Sequence, residues 1–475
     1  MPGTPSTLGP LRAGSTGPLV REIPYDDPVA LFGAVAGDPY AALLHSALPD
    51  ARGRHSFIAM DPFRVISCRA GQVEVDGAPV PGSPFDVLRD ELARQPSLAV
   101  PGLPPFQGGA VGYLGYELAG VLEDVPAPPP GPGDAPDMVV MLCDLVVAFD
   151  HERRRAHILS SGAPEHDPAA RRSRAARRLD AAARRLAAAP PPAPPAAPEA
   201  PAGVVSDTPR AAYETAVRRV IEYILAGDVF QANISQGFRA ELPAGMGPFD
   251  LHRRLQERNP APFAAYLKLG DLVLASSSPE RFLRLDGDRV ETRPIKGTRP
   301  RGASRVEDDA LAAELAASAK DRSENVMIVD LLRNDLSRVC RDGSIEVPEL
   351  CAVERFATVM HLVSEVTGRL RAGMTAVDLL AACFPGGSIT GAPKIRAMEI
   401  IAELEGVRRG PYCGAIGYIG FDGAMDTSVV IRTYAIRGRT VTFRAGGGIV
   451  ADSLPEAEYE ESLAKARALI AALSP

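Results

Sequence analysis

The chain of 475 residues carries a net charge of −7 and is 46% hydrophobic, a composition that gives a globular protein with a large core and excludes global disorder. With a pI of about 5.7 it has no basic field to draw nucleic acid or acidic lipid. No stretch approaches the roughly 18 uninterrupted apolar residues of a membrane span, and the start, "MPGTPSTLGPLRAGSTGPLV", lacks a basic region followed by an apolar run, so a cytoplasmic protein acting on a small molecule is expected.

In chain order, "GQVEVDGAPV" and "DMVVMLCDLVVAFD" read as strands broken by Gly and Pro turns. "DPAARRSRAARRLDAAARRL" predicts a helix whose only large apolar residues are Leu179 and Leu186, leaving a basic face for solvent. The proline-rich run at 186–203 cannot support a helix or a sheet and reads as a connector between a first region, 1–185, and a second, 204–475. In the second region "RAAYETAVRRVIEYILAGD" has helical periodicity ending at Gly227, "DLVLASSSPERFLRLDGDRVETRPI" reads as strands and "AMEIIAELEGV" as a helix. Strands joined by Gly turns follow from Cys413 to Val450. Runs of strands and runs of helices, without regular alternation, predict an α+β fold with a mostly antiparallel sheet. The six cysteines form no C-x-x-C pair and have no His at zinc-ligand spacing, so they are expected to be reduced and buried.

Lysine is scarce: Lys268, Lys296, Lys320, Lys394 and Lys465 are the five, against 47 arginines. In "ETRPIKGTRPRG", Lys296 reads either as a surface charge beside a turn or as an amine kept because it can lose its proton when desolvated and attack a substrate. On a helix through "DRSENVMIVDLLRNDL", Glu324 shares a face with Met327, Ile328 and Leu331, with Asp321 nearly alongside. A lone carboxylate there must be paired, protonated or bound to a cation. In the last helix Glu458, Glu461, Lys465 and Leu469 share one side. Glu461 and Lys465 make an ordinary i, i+4 pair, yet two helices turning acids inward can together hold one Mg²⁺ beside an anionic substrate. Glu280, after a predicted strand and Pro279, fits either a salt bridge with Arg281 or a general acid that protonates a leaving oxygen. "FPGGSITGAPK" before a helix presents backbone N–H groups to an anion, and "RAGGG" lets backbone approach a ligand or makes a bulge. Arg432, on a predicted strand, is either structural or a bidentate carboxylate anchor. Together these predict a site for a small polycarboxylate with Mg²⁺ and an acid.

"PIKGTRPRG", "DRSENVMIVDLLRNDL", "TVMHLVSEV", "CFPGGSITGAPKIRAMEII", "GPYCGAIGYIG" and "AGGGIVADSLPEAEYEES" together resemble the chorismate-utilising enzymes, which include anthranilate synthase component I, aminodeoxychorismate synthase component I and the isochorismate and salicylate synthases. The resemblance implies a two-sheet β core with helices packed outside. It assigns Glu324, Glu458 and Glu461 to Mg²⁺, with Asp321 close by, and Thr390, Tyr412, Arg432, Gly446, Gly447, Lys465 and His361 to the substrate. His361 alone reads equally as a core histidine. Pro-Ile-Lys-Gly-Thr is the reading of the aminodeoxychorismate synthases, where anthranilate synthases generally have Pro-Ile-Ala-Gly-Thr. It implies that Lys296 attacks C2 of chorismate as the C4 hydroxyl leaves with a proton from Glu280, and that ammonia then enters at C4, in a route toward p-aminobenzoate and folate. Anthranilate synthase component I, supported by "TRPRG", is the alternative. Gln231 stands where water-adding relatives carry a lysine base, which disfavours them. Ser46 in "LLHS", the segment at 54–57, and Pro262 in "PAPF" match a tryptophan or effector pocket, although His45 replaces the glutamate of feedback-inhibited relatives. No glutaminase loop G-x-C-x-G is present, so ammonia from glutamine implies a separate amidotransferase subunit.

Overall fold

The structure, a computed structural model, describes residues 17–47, 53–131, 134–188, 194–196, 198, 202–356 and 359–475. Its frame is two 12-stranded sheets, each built from antiparallel pairs. The apolar runs follow from burial on both faces. In Met138–Cys143, Met138, Val140 and Leu142 point into one core while Val139, Met141 and Cys143 point into another. In Leu145–Asp150, Val146 and Ala148 share that second core with Val139, and Leu145, Val147 and Phe149 face a third. The shared core lies between the sheets, and helices cover both outer faces, giving a helix–sheet–sheet–helix stack. Side chains such as Leu179, Leu255 and Leu469 close the outer layer of the first sheet, each contributing about 2 kcal/mol by burial. This is the α+β, mostly antiparallel architecture expected, with the two sheets and outer helices that the resemblance implied.

The proline-rich connector divides the sequence but not the sheets. Tyr40–His45 from the first region pairs with Phe263–Leu269 from the second, and Gly109–Leu114 pairs with Ala415–Gly420. Only part of 186–203 lies within the described residues. The helix Pro168–Ala187 buries Ala175, Leu179, Ala182 and Leu186. Its basic face differs from the expectation: Arg178 pairs with Asp144 and Asp61, Arg185 with Asp38, and Arg171 donates to a backbone carbonyl, so this chain's own acids and carbonyls meet these arginines. The six cysteines are all free and buried.

Two crossings from sheet to sheet shape the region of interest. Leu272–Ser278 of the first sheet passes through Pro279 and Glu280 into Arg281–Asp286 of the second, and Met425–Val429 of the second returns through 430–432 to Thr433–Arg437 of the first. Among the described residues no helix is long and apolar enough to cross a membrane.

Candidate active site

A cavity of about 550 Å³ opens between these crossings, the edge strand Ile295–Pro300, and the helices Ala319–Ser337 and Pro455–Ala472. It gathers Glu280, Lys296, Asp321, Glu324, His361, Tyr412, Arg432, Gly446, Glu458, Glu461 and Lys465 from segments far apart in sequence.

Lys296 lies in a strand whose register against Val359–Arg369 shifts between Lys296 and Thr298. Gly297 takes φ +60 there, and a Cβ at that position would stand 2.8 Å from Leu315, so glycine is required on both counts. The Lys296 Nζ donates to the Ser388 carbonyl at 3.2 Å. Desolvation pulls its ammonium below the ordinary lysine range, opposed by the carboxylates of Glu324 and Glu280. Glu280 is 6% exposed; burial pushes its carboxyl up, against a hydrogen bond from the Ser388 hydroxyl and the charge of Lys296. The salt bridge between Glu280 and its neighbour does not form, because Arg281 is taken by Asp426 and Glu291. A carboxyl biased toward its protonated form and an amine biased toward its neutral form thus converge on one residue, Ser388.

The acid-bearing helices are rotated slightly from the expected phase. Ala319–Ser337, capped by the Ser318 hydroxyl, buries Asn325, Ile328, Val329, Leu332 and Leu336. Glu324 and Asp321, like Met327 and Leu331, therefore flank the buried face, and the two acids border the cavity. Burial pushes the Glu324 carboxyl up, with Lys296 and Lys320 pulling the other way. Glu458 is buried and also pushed up, although the Ser453 hydroxyl donates to it at 2.6 Å. Glu461 forms the i, i+4 pair with Lys465 at 2.7 Å and is half-exposed. Desolvation is the largest single influence on its carboxyl, but the charge and hydrogen bond of Lys465 together with the charges of Lys320 and Lys296 hold it below the usual range. Asp321 lies 3.4 Å from Arg299.

The carboxylate oxygens are the hard donors Mg²⁺ takes, and the raised positions of Glu324 and Glu458, each partly due to neighbouring acids, leave negative charge for a cation to offset. Glu324, Glu458 and Glu461 thus fit the ion by chemistry. As placed, no three His, Cys, Asp or Glu side chains among the described residues stand close enough to grip it; ammonium groups stand beside these carboxylates.

Arg432 departs from the strand expected for it. It sits in the crossing with φ +54, and among the described residues its guanidinium has no acid partner. Desolvation lowers its pKa, as befits a cation awaiting an anion. Tyr412 is buried at the cavity wall. Lys465 also donates to the Gly446 carbonyl at 2.9 Å. A Cβ on Gly446 would stand 2.0 Å from the Ile234 carbonyl, and one on Gly447 3.2 Å from Glu458, so the close approach concerns the neighbouring strand and the acids. His361 borders the cavity with Nδ1 3.0 Å from the Thr298 hydroxyl. Thr390 does not border it: its hydroxyl donates to Gly386 within its own loop, while Ser388 and Ile389 face the cavity.

Several lining residues escaped the sequence reading. Arg444 opens "RAGGG", and its guanidinium is held by Glu405 at 2.8 Å; Glu405 also pairs with Arg409, which reaches the carbonyls of Asn233 and Ile389. An arginine beside a glycine run was the available signal. Asn233 faces the cavity, and behind Gly448 the Gln231 amide is fully buried with both polar atoms unpartnered among the described residues.

A second cavity, about 330 Å³, is bordered by Pro262, His45, Arg54, His55, Phe57 and Tyr418. Ser46 is not among its lining residues. His45 stands 3.1 Å from His252, nitrogen to nitrogen, and burial pushes its imidazole down to about 3, so it carries no charge at neutral pH. Asp426, the acid bordering this cavity, is taken by Arg281.

Comparison with known proteins identifies the family. The family described as chorismate binding enzyme matches residues 44–471, and the chain belongs to that family. It is 44% identical over 437 residues to anthranilate synthase component 1 of Thermus thermophilus, covering 92% of each chain. It is 40% identical over 464 residues to aminodeoxychorismate synthase component 1 of Salmonella typhimurium, covering 95% of this chain and 98% of that one. The crystal structure of anthranilate synthase component I from Streptococcus pneumoniae superposes with a TM-score of 0.78 at 33% identity, covering 89% of this chain and 93% of that one. The protein is therefore a chorismate-utilising enzyme of the anthranilate or aminodeoxychorismate synthase component I type, and overall similarity does not separate the two products.

Proposed function

We propose that this enzyme is the aminodeoxychorismate-forming one, converting chorismate and ammonia to 4-amino-4-deoxychorismate for p-aminobenzoate and folate synthesis. The convergence of Lys296 and Glu280 on Ser388 carries the proposal. An amine that burial makes easier to deprotonate is better placed to act as a nucleophile, and a carboxyl that burial makes harder to ionise is better placed to act as a general acid.

In the first step the neutral Nζ bonds to C2, the electron pairs of the ring diene shift, and the C4–O bond breaks. The hydroxyl leaves as water with the Glu280 proton, and the alkylated nitrogen returns a proton to Glu280. In the second step the ammonia lone pair forms the C4–N bond, the pairs shift back, and the C2–Nζ bond breaks as Glu280 protonates the departing amine. The new ammonium restores the Glu280 proton, so the net change is loss of one water and gain of one ammonia. Arg432, beside Tyr412, is suited to a substrate carboxylate. Glu324, Glu458 and Glu461 would hold Mg²⁺, which supplies positive charge against the C1 carboxylate. The Gln231 amide has no basic lone pair with which to activate water, which favours ammonia as nucleophile. The relatives are named component 1, and a glutamine amidotransferase partner would deliver ammonia.

The second reading, anthranilate synthase component I, is favoured by the 44% identical relative. Purified chain given chorismate, Mg²⁺ and an ammonium salt is expected to yield 4-amino-4-deoxychorismate. Without ammonia, intact mass should show a substrate adduct that Lys296→Ala abolishes. Anthranilate and pyruvate in the product trace would overturn the assignment.

A further inference from the structure

We infer that Lys320 is the resident counter-ion of the carboxylates shared by the two acid-bearing helices, and that a divalent cation enters by displacing it. The inference rests on reading Glu324, Glu458 and Glu461 as the cation-binding acids.

Helix energetics do not account for a lysine at this position. Lys320 is the second residue of Ala319–Ser337, in the first turn, where the positive end of the helix dipole opposes an ammonium. It precedes Glu324 by four residues, the less favourable order for such a pair. What it gains lies across the cavity. Its Nζ is 4.0 Å from Glu324 on its own helix and 3.7 Å from Glu458 on Pro455–Ala472, so one ammonium spans both helices.

Both separations are too long for hydrogen bonds, so the acids are offset in charge without being gripped. Mg²⁺ draws carboxylate oxygens to about 2.0–2.1 Å and carries twice the charge, so exchanging one for the other both tightens the cluster and neutralises it further. The exchange is sterically simple: Lys320 is 49% exposed, and its flexible stem can carry the ammonium into water. Lys465 differs, being anchored at 2.7 Å to Glu461 and at 2.9 Å to the Gly446 carbonyl. Lys320 is thus the mobile charge and Lys465 the fixed one.

The test uses Mn²⁺ as probe, with its free ion followed by electron paramagnetic resonance during titration of the substrate-free full chain. Lys320→Gln, which keeps polarity and most of the side-chain length but removes the charge, should bind Mn²⁺ about five- to tenfold more tightly than the natural chain, the scale of one ion pair near 4 Å at a wet surface. Lys320→Arg, which keeps a cation, should bind no more tightly than the natural chain. Circular dichroism of each variant checks that the fold is retained. Equal affinity in all three proteins, or weaker binding by Lys320→Gln, overturns the displacement while leaving the cation-binding acids in place. No Mn²⁺ binding by any of them overturns both.

Discussion

Lys296 faces two opposed demands, because the carboxylates that make the cavity suit a cation also tend to keep its own ammonium charged. Burial pulls its ammonium below the ordinary lysine range, and burial likewise pushes the Glu280 carboxyl above the usual carboxylate range. Each shift favours the form its step needs, so activity should fall at high pH as Glu280 ionises, or once Lys296 is fully neutral and Glu280 cannot regain its proton. Glu280→Gln is expected to lose about 10²–10⁴ in kcat. Its residual rate should keep rising with pH through the Lys296 titration, where the natural enzyme declines. A pH–rate profile of the variant that still bends downward would remove Glu280 as the acid. Both residues were legible in the sequence because each lies in a dense motif. Ser388, on which they meet, was quoted only as part of a loop, since its role depends on a carbonyl and a hydroxyl facing two distant segments.

The helices and glycine strand were readable as elements but less so as surfaces. Periodicity located Ala319–Ser337 and the group of acids upon it, yet hydrophobic phase alone put Glu324 within the buried face and not at its border. The difference arises because Asn325 is buried among polar partners, including the Ser364 hydroxyl, which no apolar pattern reveals. Arg432 was assigned to a strand because the sequence around it is β-rich, while the crossing there shows only in the sheet pairing. The glycines separate by what surrounds them. Gly446→Ala would press a methyl on strand backbone and should cost about 1–3 kcal/mol in denaturant unfolding. Gly447→Ala presses only on the end of the Glu458 side chain, at 3.2 Å, so it should cost less than about 1 kcal/mol while weakening Mn²⁺ binding by displacing Glu458. Equal stability losses in the two variants would contradict this division.

At the scale of the whole molecule, strands of the first and second regions pair within both sheets. Composition marks the connector plainly, but nothing local states which strand a segment will join, so this interleaving was hidden. Residues 1–188 and 202–475 expressed separately should each lack a cooperative thermal transition and regain one when refolded together, as followed by circular dichroism. A sharp transition in the second fragment alone would show that its half of each sheet is sufficient. The two crossings carry a last consequence. Glu280 and Arg432 each sit where the backbone steps from one sheet to the other, so the residues proposed as proton donor and anion anchor are fixed to the seam of the sandwich. Sliding one sheet over the other would change the spacing between acid and anchor. A protein gripping the rims of both sheets could thereby throttle turnover without placing an atom in the cavity.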